Sequence, residues 1–272
     1  MLHATLSSGA QMPMLGMGTY QLRDAACTRA VREALELGYR HFDTAAMYGN
    51  HAAVGAALSE TKVPRGELFV TTKVWRDSLK RKDVLKSCDE ALRDLRCAYL
   101  DLYLIHWPNH AVPLAETLGA FAELLDAGKI RHAGVSNFTV KRLREALALN
   151  ACPIVCNQVE YHVHLNQEAL RAFCAERGIA VTAYCPLGKG RWHDDALLSE
   201  IGRAHGKSAA QTALRWLLQK GIAAIPKAGS REHLAANLDV FDWSLSAAEM
   251  RRLDTEPKRE RLIDWDVAEF ED

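Results

Sequence analysis

The chain has 272 residues, and Lys plus Arg equal Asp plus Glu at 34 each. That balance argues against a protein that lies on nucleic acid or anionic lipid, where a basic face is the expected footprint. Apolar residues at 49% and charged ones at 25% match the globular average, which excludes bulk disorder.

No apolar run approaches the ~18 residues of a membrane helix, and residues 1–14 lack a basic stretch followed by an apolar one. The seven cysteines are scattered and odd in number, so they read as small buried hydrophobes in a reducing compartment. A cytoplasmic protein is expected.

In chain order, residues 3–14 read as a β-hairpin turning at Ser7-Ser8-Gly9. Weak strands follow at 14–20 and 41–45, then stronger ones at 68–74, 99–105, 130–136, 154–160, 179–185 and 221–226. Amphipathic stretches at 25–37, 80–95, 114–127, 141–150, 166–177 and 208–220 fall between them, with apolar residues at helical spacing. Eight strands alternating with helices make a (β/α)₈ count. The strand ends lie 24 to 33 residues apart except for the last gap of 42, where residues 194–206 supply an extra helix before the seventh barrel helix. One domain over 1–272 is expected, an α/β barrel with the hairpin plugging its bottom. Gly16-Met17-Gly18 is a poor dinucleotide fingerprint, because Gln21 stands where the third glycine belongs.

Catalysis in a parallel barrel sits at the C-terminal strand ends. Those ends carry Asp43 with Tyr48 just beyond, Lys73, His106, Ser136-Asn137, Gln158 to Glu160, Tyr184 and Lys227. Each has an ordinary reading alone: a solvated strand-end charge for Lys73, a helix cap for Asp43, a half-buried aromatic for Tyr48, a core imidazole for His106. An acid, a phenol, an amine and an imidazole leaving successive strands toward one mouth are harder to explain as filler. His162 and His164 share a strand face, but no third ligand is evident, so no metal is expected. Residues 202–208, GRAHGKS, imitate a phosphate loop but have the wrong spacing; Ser208 with Gln211 reads instead as a capping box.

The chain resembles the aldo-keto reductases, through FDTAAMYGN (42–50), TTKVW (71–75), LIHWP (104–108), GVSNF (134–138), NQVEYH (157–162) and IPKAGSREHLAANL (225–238). The likeness spans nearly the whole chain, and DLYLIHWP (101–108), the lack of a long insertion after Pro108 and YCPLGKG (184–190) make it most similar to bacterial 2,5-diketo-gluconate reductases and methylglyoxal reductases. The resemblance implies a monomeric barrel that reduces aldehydes and ketones with NADPH. It implies a catalytic tetrad of Asp43, Tyr48, Lys73 and His106, with Tyr48 as proton donor. The Lys73 ammonium would lower the pKa of the Tyr48 phenol, Asp43 would hold Lys73, and His106 would orient the substrate oxygen.

By the same resemblance, Thr19, Ser136, Asn137 and Gln158 hold the nicotinamide end and Tyr184 stacks on its ring. Leu187 and Gly188 border the pyrophosphate. Lys227, Ser230, Arg231, His233 and Asn237 meet the adenosine end. Tyr20, Met47, Trp75 and Trp107, with Trp265, would wall an open substrate pocket, bordered by Lys189, Arg191 and Trp192. The chain departs from the family in having Ala228, His233 and Ala236 around the adenosine phosphate. A neutral histidine lacks arginine's bidentate grip on phosphate, so NADP(H) is the expected preference with NAD(H) tolerated. Two other readings stay open: an aldolase using Lys73 as a Schiff base, and a non-catalytic NADPH-binding redox-sensing subunit.

Overall fold

In the computed structural model, residues 2–255, 260–264 and 270 are described. A short antiparallel pair, β1 (His3–Thr5) and β2 (Gln11–Pro13), precedes the barrel. The barrel strands are β3 (Met17–Gly18), β4 (His41–Asp43), β5 (Phe69–Val74), β6 (Leu100–Ile105), β7 (Ile130–Ser136), β8 (Ile154–Glu160), β9 (Ala180–Tyr184) and β10 (Ala223–Ala224). All eight pair in parallel, each with its sequence neighbour. Parallel bridges Leu15–Ala224 and Gly18–Lys227 close the sheet on itself. The seam explains the early glycines: a Cβ on Gly18 would stand 2.6 Å from the Ile225 carbonyl oxygen. They serve close strand approach rather than a phosphate.

The helices alternate with the strands: α1 (Asp24–Leu37), α2 (His51–Glu60), α3 (Arg81–Asp94), α4 (Leu114–Asp126), α5 (Val140–Leu149) and α6 (Glu168–Glu176). Two helices, α7 (Ala196–Ala204) and α8 (Ala209–Gln219), fill the long gap between β9 and β10, as the spacing predicts. The Ser208–Gln211 capping box starts α8. After β10 come α9 (Arg231–Leu238) and α10 (Ala247–Asp254). The periodicity did not mark α2, whose sequence HAAVGAALSE is small and apolar nearly all round, so no stripe stands out.

Period-two alternation sorts the strand side chains. Tyr103 and Ile105 on β6 face outward into the large core shared with the helices, whereas Leu102 and Leu104 face the barrel axis. At the lower end that axis is filled by Leu6 and Met12 from the hairpin, packed with Phe69, Leu102, Val155 and Ala223. The plug is apolar and needs no directional contact. Among the described residues no helix is long and apolar enough to cross a membrane.

Candidate active site

On β5 the inward positions are Phe69, Thr71 and Lys73, so the alternation that buries an aromatic at the bottom delivers an amine near the top. The Lys73 side chain is 0% exposed. Its ammonium has three protons and meets three acceptors: Asp43 Oδ1 at 2.5 Å, the Thr44 carbonyl at 2.9 Å and Tyr48 Oη at 3.5 Å. The other Asp43 oxygen accepts from Gln158 Nε2 at 2.7 Å. A buried charge is tolerated when paired and fully hydrogen-bonded, and this one is. Tyr48 stands on a single 3₁₀ turn, Ala46–Tyr48, with His106 edge-on at 5.7 Å between ring centroids. The structure thus gathers Asp43, Tyr48, Lys73 and His106 at one mouth.

Burial, and then the Asp43 carboxylate, holds the Tyr48 phenol well above its ordinary pKa of 10. The expectation that Lys73 lowers it is corrected. The net direction is upward because burial of the phenol outweighs the pull of the ammonium 3.5 Å away. Burial pushes Lys73 down from 10.5, opposed by Asp43. Burial, then Lys73, drives His106 well below 6.5, so its imidazole is neutral. Its Nδ1 is buried with no partner among the described residues.

Sequence reasoning gave Asn50 no role. It is 3% exposed, accepts from Thr44 Oγ1 at 2.7 Å and donates to the Thr19 carbonyl at 2.9 Å and the Leu22 carbonyl at 3.1 Å. It ties the loop after β3 to the loop after β4. A polar residue just ahead of a helix reads locally as a cap, and only the fold shows that it reaches sideways instead.

The donor set beside the tetrad fits a nicotinamide dinucleotide. Ser136, Asn137 and Gln158 are buried at the ends of β7 and β8, an amide-rich group suited to a carboxamide. Asn137 takes a left-handed backbone at φ 63°, donates to the His106 carbonyl at 3.0 Å and accepts from the Tyr184 hydroxyl at 2.8 Å. Thr19 is buried and donates to the Asp43 carbonyl. Gly188 has φ 57°, and a Cβ there would lie 2.1 Å from the Trp192 indole. Leu187, just before it, is half-buried.

Farther out, Lys227 and His233 are exposed and Asn237 is buried. Ser230 caps α9, while the Arg231 guanidinium pairs with Glu36 at 2.6 Å.

The aromatic walls follow in part. Tyr20, 41% exposed, lies 5.0 Å from Tyr48, Trp75 stands edge-on to His106 at 5.2 Å, and Met47 is half-buried in the Tyr48 turn. Trp192 does not border the mouth as expected: it is buried 4.3 Å from the His164 ring and underlies Gly188. His162 and His164 pair with Glu160 and Asp195, both at 2.9 Å. Among the described residues no three His, Cys, Asp or Glu side chains gather as a metal site. Phe270 packs edge-on against Trp107, with ring centroids 6.1 Å apart. Trp265 lies outside the described residues.

Residues 14–256 match the model of the aldo/keto reductase family. The chain belongs to that family. It is 40% identical to glyoxal reductase from Bacillus subtilis over 94% of this chain and 93% of the relative. It is 41% identical to the 9,11-endoperoxide prostaglandin H2 reductase of Trypanosoma cruzi, over 98% and 95%. Among solved structures, a putative 2,5-diketo-D-gluconic acid reductase B superposes with a TM-score of 0.95 at 41% identity, covering 100% of this chain and 97% of that one. The aldose reductase of Schistosoma japonicum superposes at 0.90 with 33% identity, over 97% and 94%. This aldo/keto reductase is an oxidoreductase that reduces carbonyls, with the nicotinamide cofactor of its family.

Proposed function

We propose that this enzyme reduces small polar carbonyl compounds, such as methylglyoxal and 2,5-diketo-gluconate, and aromatic aldehydes to alcohols, with Tyr48 giving the proton. The observation that carries this reading is the triple coordination of a fully buried Lys73, which places a cation beside the Tyr48 phenol. The bound cofactor supplies the hydride. A carbonyl oxygen between Tyr48 and the neutral His106 is held by hydrogen bonds as charge develops on it. Because the phenol stays protonated across the working range, its O–H is always available to donate. As the proton leaves, the Lys73 ammonium stabilises the phenolate, and Asp43 keeps that ammonium charged and aimed. Ser136, Asn137 and Gln158 would hold the carboxamide, with Thr19 beside them. Tyr184 would carry the nicotinamide ring, and Leu187 and Gly188 would border the pyrophosphate.

NADPH is the preferred cofactor in this reading, with NADH tolerated. Lys227 is the exposed cation at that end, with Ser230 and Asn237 beside it, but Arg231 is engaged by Glu36 and the neighbouring position is His233. The enzyme works as a monomer, and its seven free cysteines suit the cytoplasm.

The test is consumption of NADPH and NADH in parallel against methylglyoxal, 2,5-diketo-gluconate and an aromatic aldehyde. Tyr48→Phe should cut kcat by on the order of 10³-fold and leave cofactor binding intact. Full activity in that variant sinks the assignment, and tight NADPH binding without turnover in the wild type points to the sensor reading.

A further inference from the structure

The proposed reduction needs the Lys73 ammonium beside Tyr48 as its proton leaves, yet the two side chains ride on different elements. Lys73 projects from β5, and Tyr48 ends a three-residue 3₁₀ turn between β4 and α2. Their direct contact, 3.5 Å from Lys73 Nζ to Tyr48 Oη, sits at the outer limit of a hydrogen bond and is too weak to fix the turn. The gap is set by what ties the turn to β5.

Each end of the turn has its own ties. Ahead of it, the Thr44 amide donates to the Thr71 carbonyl at 2.9 Å, and the Thr44 carbonyl accepts from Lys73 Nζ at 2.9 Å. Behind it, the Tyr48 carbonyl accepts from Arg23, and Asn50 bonds Thr44 and the Thr19 and Leu22 carbonyls. Those partners lie before β5. The tie from the rear of the turn to β5 is made by His51, the first residue of α2, whose Nε2 lies 2.8 Å from Thr72 Oγ1. Thr72 is 0% exposed and immediately precedes Lys73 on the strand. The turn is not packed all round: Ala46 and Gly49 line a cleft of about 230 Å³ together with His51, Ser87 and Asp94. It has room to shift unless it is held.

We propose that His51 is a positioning residue for the reduction: its bond to Thr72 fixes the Tyr48 turn to β5 and so holds the phenol at working distance from Lys73 Nζ. His51 acts through Tyr48 and needs no contact with the carbonyl. With the bond gone, the turn drifts into the cleft and the phenolate forms farther from its cation, so the transition state loses that stabilisation. A displacement of about 1 Å is enough to slow a reaction on the order of 10²-fold. The amide group at the ends of β7 and β8 is not held by this bond, so cofactor affinity stays and the loss falls on kcat. This inference rests on the reductase reading above.

The test uses full-length Thr72→Val, His51→Leu, their double variant and His51→Gln, with kcat and KM for methylglyoxal read beside NADPH binding by quenching of tryptophan fluorescence. Valine keeps the outline of threonine and removes only the hydroxyl. Thr72→Val and His51→Leu should each lower kcat about 10- to 100-fold with NADPH binding unchanged. The double variant should be no slower than either single one. His51→Gln, whose amide can still reach Thr72, should stay within about threefold of wild type. In a Tyr48→Phe background His51→Leu should cost nothing more, because no phenol is left to position.

The proposal is overturned if Thr72→Val keeps the wild-type kcat, if the two losses add in the double variant, or if His51→Leu slows Tyr48→Phe by the factor it costs the wild type. Should His51→Leu not fold, Thr72→Val decides alone: an unchanged kcat overturns the proposal, and a drop confined to kcat supports it. A wild type that turns over no carbonyl removes the reductase reading together with the positioning role, whereas normal wild-type turnover with any of the overturning results removes the positioning role only.

Discussion

The two ends of the barrel are built on the same strands by opposite means. At the bottom, Phe69 and Leu102 meet Leu6 and Met12 of the hairpin, and stability there comes from apolar area and close packing. A few residues along the same strands, Lys73 and Asp43 are equally buried and hold together by directed hydrogen bonds, with buried His106 edge-on to Tyr48. Packing at the bottom depends on volume, whereas the hydrogen bonds at the mouth depend on the identity of each group. A strand whose pattern reads apolar, neutral polar, charged along one inward face marks which end of a barrel works.

That contrast can be broken by substitution. The largest effect belongs to the mouth. Asp43→Asn should leave the Lys73 ammonium without its charge partner and cost about 3–5 kcal/mol of stability, read by urea unfolding, with activity lost as well. Replacing both, Asp43→Leu with Lys73→Met, should recover most of the stability and none of the activity. Recovery of turnover in that double variant would show the pair to be structural only.

Next comes the plug: Met12→Ala should cost about 2–5 kcal/mol through its cavity and leave kcat per folded molecule unchanged. A changed kcat there would mean that the two ends are coupled.

Acid sharpens the comparison further. Burial lowers the pKa of His51, beside the mouth, from 6.5 to about 4, and His41 and His106 are lowered too. The unfolded chain therefore binds more protons than the folded one below about pH 6.5, and stability falls as pH drops through that window. For His51 the loss between pH 6.5 and 4 should be on the order of 3 kcal/mol. His51→Gln, which can still bond Thr72, should flatten part of the melting-temperature decline; an unaltered decline would remove His51 from the account. The smallest effect lies outside both ends: Arg252→Ala breaks an exposed pair with Glu200 and should cost less than about 1 kcal/mol.

Most of this architecture was legible because its signals are local. Period-two runs place the eight strands, and their predicted ends fall within about two residues of the observed ones at Asp43, Ser136, Glu160 and Tyr184. The gathering of Asp43, Tyr48, Lys73 and His106 was legible because four polar residues of different chemistry stand at or just beyond those ends. What escaped has no local signature. The helix α2 is apolar all round, so periodicity is silent. Asn50 bridges two loops that only the barrel brings side by side. The Tyr48 pKa was expected to fall because Lys73 is near, but burial of the phenol, and after it the Asp43 carboxylate, raises it, and burial is set by the fold.

By itself, then, the sequence determined the alternation of strands and helices, the polar strand ends and the hairpin, since each follows from spacing along one element. Tertiary structure alone decided that the sheet closes through Leu15 and Gly18, that Trp192 lies beneath the Gly188 loop, and that Glu160 holds a segment about a hundred residues onward. Those are contacts between elements distant in the chain, and neither propensity nor periodicity carries information about what the folded chain places opposite a side chain.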